Sequence, residues 1–217
     1  MAAKKTEEVI EIRPLSIQKV ALKIVGDSPL IMHAWSEKAK KQILDKQLGK
    51  AKGKKRENKN PMEDFIDSMY WLTPKPTRPT QSAFDDAITA GAKFGFPATA
   101  VKQASTSAAY RLGFVNNQMG LRGAFFIDAN RDGMIELHSD TPVMREDMVR
   151  IPGSADVRYR GEFRNWYADI TISYNSNGEF NLENIINIIN AGGYVCGIGE
   201  WRPERDGDFG RYHVETV

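Results

Sequence analysis

The sequence predicts an α+β fold, and three observations predict it. Apolar residues alternate with polar ones near both ends of the chain. An apolar stripe at helical spacing lies between the last two extended stretches. The first half carries helix signals punctuated by prolines. Strand–helix–strand at the C-terminus, with strand–helix at the N-terminus, fits a ferredoxin-like βαββαβ core, and residues from about 49 to 120 then read as a helical insertion. At 217 residues, 41% of them hydrophobic, the chain is long enough for one domain over 17–217 behind a polar segment at 1–16.

Each element has its own signal. Val20, Leu22 and Ile24 alternate with Lys19, Ala21 and Lys23, a half-buried strand that Gly26-Asp27-Ser28-Pro29 breaks. Leu30 to Trp35 is a short apolar piece, an edge strand or a buried loop, and Ser36 suits the N-cap of a helix to about Leu48. Residues 49–60 lack apolar periodicity and read as a mobile basic loop. Met62 to Leu72 reads as a short helix, which Pro74, Pro76 and Pro79 cannot continue. Gln81 to Lys93 and Thr99 to Leu112 are two more helices, separated by Gly91, Gly95 and Pro97. Ala124–Ile127 and Met134–Leu137 flank Asp128–Gly133, which resembles a hairpin turn. Val143 to Val149 is extended, and Ile170, Ile172 and Tyr174 mark another strand. Asn181 caps a helix with Leu182, Ile185, Ile186 and Ile189 on one face; Gly192 and Gly193 are expected to stop it, and Arg211 to Val214 close the fold as a strand.

Composition excludes several classes. One cysteine, Cys196, leaves no internal disulfide framework and fits a reducing cytoplasm. The start Met1-Ala2-Ala3-Lys4-Lys5 leads into charges rather than an apolar leader, and no run of about 20 apolar residues exists, so a cytoplasmic chain without a membrane span is expected. Net charge is only +2, so any nucleic-acid site must come from local clustering. Residues 37–59 supply such a cluster, ten Lys/Arg against three acids, read either as a solvated linker or as a phosphate-contacting arm.

Four constellations carry candidate chemistry. The first is 192–211, with six glycines interleaved with arginines and aromatics: Gly197 and Gly199 to bring backbone close to a ligand, Arg202, Arg205 and Arg211 for phosphate, Trp201 for stacking. The second is Arg158-Tyr-Arg-Gly-Glu-Phe-Arg-Asn-Trp-Tyr167. If extended, it sends Arg158, Arg160 and Arg164 out and Tyr159, Phe163 and Tyr167 into the core. The third is Phe96 to Ala104, a helix start led by Pro97 whose free N–H groups and Lys102 suit an anion; taken alone it reads as a plain helix N-terminus. The fourth, Asp128-x-Asn130-x-Asp132-Gly133, copies half of a calcium loop but holds Ser139 where the bidentate Glu belongs, so it reads as a turn. His33, His138 and His213 show no metal-ligand spacing, and no phosphate-loop or nucleophile-elbow motif occurs, so neither a catalytic residue nor a cofactor is assigned.

Pro97-Ala98-Thr99-Ala100-Val101-Lys102 and the Gly197-Ile198-Gly199 to Gly207-Asp208-Phe209-Gly210-Arg211 segment together resemble the RAMP superfamily of CRISPR proteins, especially its Cas7-like branch. That resemblance implies an RRM or ferredoxin-like core, a ligand-facing helix start and a glycine-rich loop after the last helix. The chain is also similar in style to small nucleic-acid-binding proteins of bacteriophages and prophages. The expectation is a non-catalytic protein that binds single-stranded DNA or RNA through Lys102, Arg158, Arg160, Arg164, Gly197, Gly199, Trp201, Arg202, Arg205 and Arg211, and forms homo-oligomers on the strand. The alternatives are a protein–protein effector using the same Arg/Trp/Tyr surface, and a metal-dependent nuclease built on Asp206 and Asp208.

Overall fold

The computed structural model describes residues 14–35, 37–50, 59–151 and 154–216. Ser36, most of the polar lead-in and residues 51–58 of the basic loop lie outside the described residues. The strands are β1 (Ile17–Gly26), β2 (Leu30–Met32), β3 (Phe94–Pro97), β4 (Phe125–Ile127), β5 (Met134–Leu137), β6 (Val143–Ile151), β7 (Ser154–Phe163), β8 (Tyr167–Asn175) and β9 (Tyr212–Thr216). The helices are α1 (Glu37–Gln47), α2 (Pro61–Asp67), α3 (Gln81–Thr89), α4 (Ala98–Arg111), α5 (Gln118–Arg122) and α6 (Leu182–Ala191).

The fold is α+β with antiparallel sheets. The main sheet runs β4-β8-β1-β9, every neighbouring pair antiparallel. Register follows hydrophobicity: Val20 faces Ile172, Leu22 faces Ile170, and Ile24 lies between Ala168 and Val214. Leu22, Ile24, Ala168, Ile170, Ile172 and Phe125 are buried on one side of the sheet, in a single cluster with Val101, Ala104 and Ala108 of α4 and Ile185, Ile188 and Ile189 of α6. Each fully buried isoleucine there contributes about 2 kcal/mol. The alternate residues Lys19, Ala21 and Asp169 are exposed, so the period-2 pattern read from β1 and β8 is the pattern of burial. A second sheet, β2-β7-β6, carries the long β6–β7 hairpin, and β3 pairs with β5.

Local chemistry fixes the helix starts. Asn60 Oδ1 accepts from the Met62 and Glu63 amides with Pro61 in the first turn, and Asn181 Oδ1 accepts from Asn184. α4 has no side-chain cap; its first amide, Ala98, donates to Gly133 O of the 128–133 turn.

Four expectations are corrected here. Residues 124–137 do not form a hairpin: the turn closes through Asn130, but β4 pairs with β8 and β5 with β3. Gly192 and Gly193 do not stop α6. The chain continues as one π-helical turn, Gly192–Cys196, and ends at Gly197. A Cβ on Gly193 would lie 2.0 Å from Tyr212 O, so glycine is there because α6's extension presses on β9. The helix expected inside the insertion, α4, is a core element that packs on α6 and on that π-turn. Finally, 158–167 is not one extended face: β7 ends at Phe163, and Asn165 turns the chain at φ 49° into β8.

Candidate functional site

The glycine-rich segment folds back over β2 as an ordered loop. Glu200 N donates to Ile31 O at 3.0 Å, Gly210 N to Pro29 O at 2.8 Å, Ile198 N to Gly210 O at 2.9 Å and Phe209 N to Trp201 O at 3.0 Å. Gly197 and Gly199 both have positive φ, and their nearest neighbours are Pro203 and the β2 backbone. They let the loop lie close on its own body as well as lining a cleft. Arg202 is not a free phosphate donor: Nε and Nη2 bond Glu204 at 3.0 and 2.8 Å, and Nη1 bonds Gly199 O at 3.0 Å. Arg211 Nε donates to Asp208 O. Arg205 and Trp201 are exposed.

The hairpin arginines meet this loop, but not as expected. Arg160 is buried, 3% exposed at its side chain, between Asp147 at 3.2 Å and Glu200 at 3.4 Å. Its Nε has no hydrogen-bond partner. The β7 face read as pointing outward is covered by the loop, so Arg160 holds the loop to the hairpin instead of facing phosphate. Arg145 extends the network, bonding Asp147 at 2.8 Å and Glu162 at 2.9 Å with its guanidinium over the Phe209 ring. Arg164 bonds Glu162 at 2.7 Å yet stays 60% exposed, and Arg158 lies 4.0 Å from Asp156, which Lys59 also pairs. On the other β7 face Phe163 is buried and Tyr159 half-buried, as expected, while Tyr167 belongs to β8 and stacks on His138. Lys102 leaves the group: its ammonium sits 3.9 Å from the Phe126 ring centroid on β4, and burial lowers its pKa.

Between these parts lies a groove that the sequence did not reveal. A cavity of about 230 Å³ is bounded by Pro97, Ala100 and Gln103 of the α4 start, by Gly197–Glu200 of the loop, and by His33 and Tyr70. A second, of about 350 Å³, shares His33 and runs past Trp35 to Tyr159, Arg158 and Lys59. A third, of about 450 Å³, shares Trp35 with the second and Tyr70 with the first. The His33-Ala34-Trp35 segment thus stands where all three meet, pinned by Ala34 N donating to Ser68 O at 2.7 Å. Its signal was present in the apolar run that ends on an exposed tryptophan, but a run of this kind reads as core.

Glu200 ties groove to hairpin. Its pKa is lowered by the His33 ring 3.5 Å away, then by Arg160, against burial that would raise it. Tyr70 is pushed up by burial and by the Glu200 charge. A depressed carboxylate contributes stability that is present above its unfolded pKa and is lost as pH falls through the folded value. Urea unfolding should therefore show stability falling below about pH 4.5, the usual glutamate value. Glu200→Gln should lose less between pH 7 and 3.5 than the parent does. An unchanged acid loss in the variant would remove Glu200 from the account.

Among the described residues no group of three or more His, Cys, Asp or Glu is gathered to hold a metal ion. Asp206 turns the chain at φ 59°, and Asp208 bonds Arg211 through its carbonyl; Asp128, first in the calcium-like loop, pairs with Lys19 at 2.7 Å. No helix among the described residues is long and apolar enough to cross a membrane. No known protein-family model matches the chain, and no curated protein sequence matches it.

Proposed function

We propose that this chain is a single-strand nucleic-acid-binding protein on a ferredoxin- or RRM-like core of the RAMP, Cas7-like kind. Taking β1, β4, β8 and β9 as the four core strands, their spatial order is 4-1-3-2, with α4 and α6 as the two crossover helices. That order supports the fold reading. The observation that carries the functional reading is the first cavity: the helix start at Pro97 and the glycine loop at Gly197, a hundred residues apart and singled out for the same chemistry, line one cleft. Arginines stand near it in sequence and along the hairpin for phosphate, Arg205 and Arg164 exposed and Arg158 half-buried. Several copies would share one long strand, so binding stoichiometry should rise with oligonucleotide length.

The test is fluorescence anisotropy with labelled single-stranded DNA, single-stranded RNA and duplex DNA at 50 and 200 mM salt. Single strands should bind tighter than duplex, and a grip of about three phosphates should lose roughly tenfold or more between those concentrations. Arg205→Ala should lower the salt slope by about 0.7. Arg202→Ala should act differently, loosening the loop rather than deleting one phosphate contact. Absence of binding to every probe at low salt would overturn the reading.

One observation favours a protein partner instead. Tyr110, Leu112, Phe114, Met119 and Phe126 are all exposed within one short stretch, and such side chains anchor protein interfaces. Tight binding to a host protein with shallow salt dependence, and none to nucleic acid, would be its signature.

A further inference from the structure

We infer that the 350 Å³ cavity beside Trp35 is a nucleobase slot selective for bases that carry an exocyclic amino group. The inference rests on the single-strand reading for how a base would arrive; of its residues only His33 also lines the glycine-loop cleft. Trp35 is 66% exposed. It nevertheless sits on a pinned segment, because Ala34 is bonded to Ser68. A large flat side chain held out over a cavity by ordered backbone is a stacking platform with little further entropy to lose. His33 and Tyr159 are the other rings of the lining; of the two cations at the same cavity Lys59 is paired with Asp156, and Arg158, 4.0 Å from that carboxylate, is the one left for a flanking phosphate.

Asp67 sets the selectivity. It lines both this cavity and its neighbour across Trp35. Lys75 holds its Oδ1 at 2.5 Å, and the side chain is only 17% exposed. Among the described residues no hydrogen bond reaches Oδ2. A carboxylate oxygen in a stacking slot accepts from a ring-edge N–H₂, as in carboxylate readout of cytosine N4. Thymine and uracil present O4 where cytosine carries N4–H₂, and guanine and adenine carry an amine on their own edges, so at that position the oxygen loses its donor and meets another acceptor when the base is thymine or uracil. An aliphatic or aromatic anchor from a protein would cover Oδ2 without giving it a donor, which costs free energy.

Labelled dA, dC and dT 12-mers would be titrated at low salt against the parent, Trp35→Ala, Trp35→Phe and Asp67→Asn. Trp35 is too exposed for its loss to unfold the chain. The parent should bind dA and dC about fivefold or more tighter than dT, and Asp67→Asn should bring that ratio close to one. Trp35→Ala should lose about tenfold on all three probes and Trp35→Phe should regain most of it. Parent-like binding by Trp35→Ala, a retained ratio in Asp67→Asn, or dT bound as tightly as dA would each overturn the slot while leaving single-strand binding in place. Should the parent bind no strand at all, AMP and UMP decide separately. Saturable quenching of tryptophan fluorescence by AMP but not UMP, lost in Trp35→Ala, sustains the slot without the strand. No quenching by about 10 mM AMP overturns it.

Discussion

Replacing Gly210 with alanine should lower the free energy of unfolding by about 3 kcal/mol or more and abolish strand binding. Two penalties combine at this position. The backbone φ is +66°, a region that side chains with a Cβ enter at a cost of about 1 kcal/mol. The added Cβ would also fall 1.8 Å from Ile198 O, so the backbone itself must move. That movement breaks the Ile198–Gly210 and Gly210–Pro29 bonds that lay the loop on β2. Gly113→Ala is the matched control: its φ is +73° and nothing stands within 4 Å of the new methyl, so it should cost only the φ term. Urea midpoints at unchanged slope would measure both. Equal losses at the two positions would mean that the loop is not packed as described.

Arg160→Ala should cost about 3 kcal/mol, because it strands Asp147, only 8% exposed at its side chain, with Arg145 as its remaining partner. Arg164→Ala, which removes a partner of Glu162 from an exposed position, should cost under about 1 kcal/mol. The pair Asp147→Asn with Arg160→Met should recover much of the first loss, since it removes both buried charges together. A buried Arg160 Nε without a partner already marks this network as imperfectly satisfied. Measured additivity of the two single changes would show that the residues do not act as a pair. Strand affinity of the double variant separates stability from binding: a folded protein that no longer binds would put the network, not only the loop, in the interface.

Much of the fold was legible because its signals are local. The alternation at Val20–Ile24 and Ile170–Tyr174, the Asn181 cap and the Leu182–Ile189 stripe are each written within a few residues, and each became the element it indicates. Pairing is not local. Whether β4 pairs with β5 or with β8 depends on a strand more than 40 residues further on, and nothing in the Asp128–Gly133 turn distinguishes them. The glycines at 192 and 193 looked like a stop signal because glycine usually ends helices; here they answer crowding from α4 and β9, which only the tertiary arrangement supplies. For the site, residue type was readable and direction was not. Arg160 and Arg205 are the same amino acid in two equally basic stretches, yet one is covered by a loop from the far end of the chain and the other is exposed. Trp35 and His33 were passed over because an apolar run predicts burial, and burial stops at Met32.

The strand nearest the N-terminus occupies an inner place in the main sheet. β1 pairs on one side with β8 and on the other with β9, so Ile24 meets Ala168 and Val214. A ribosome adding about 5–20 residues per second releases β1 some ten to forty seconds before β9 is made. Until β8 emerges β1 has two open edges, and until β9 emerges it keeps one, beside the apolar side chains Val20, Leu22 and Ile24, the combination that recruits foreign strands. The nascent chain therefore passes through a window of exposure set by its own topology, in which slowing translation late in the message would lower the yield of folded protein.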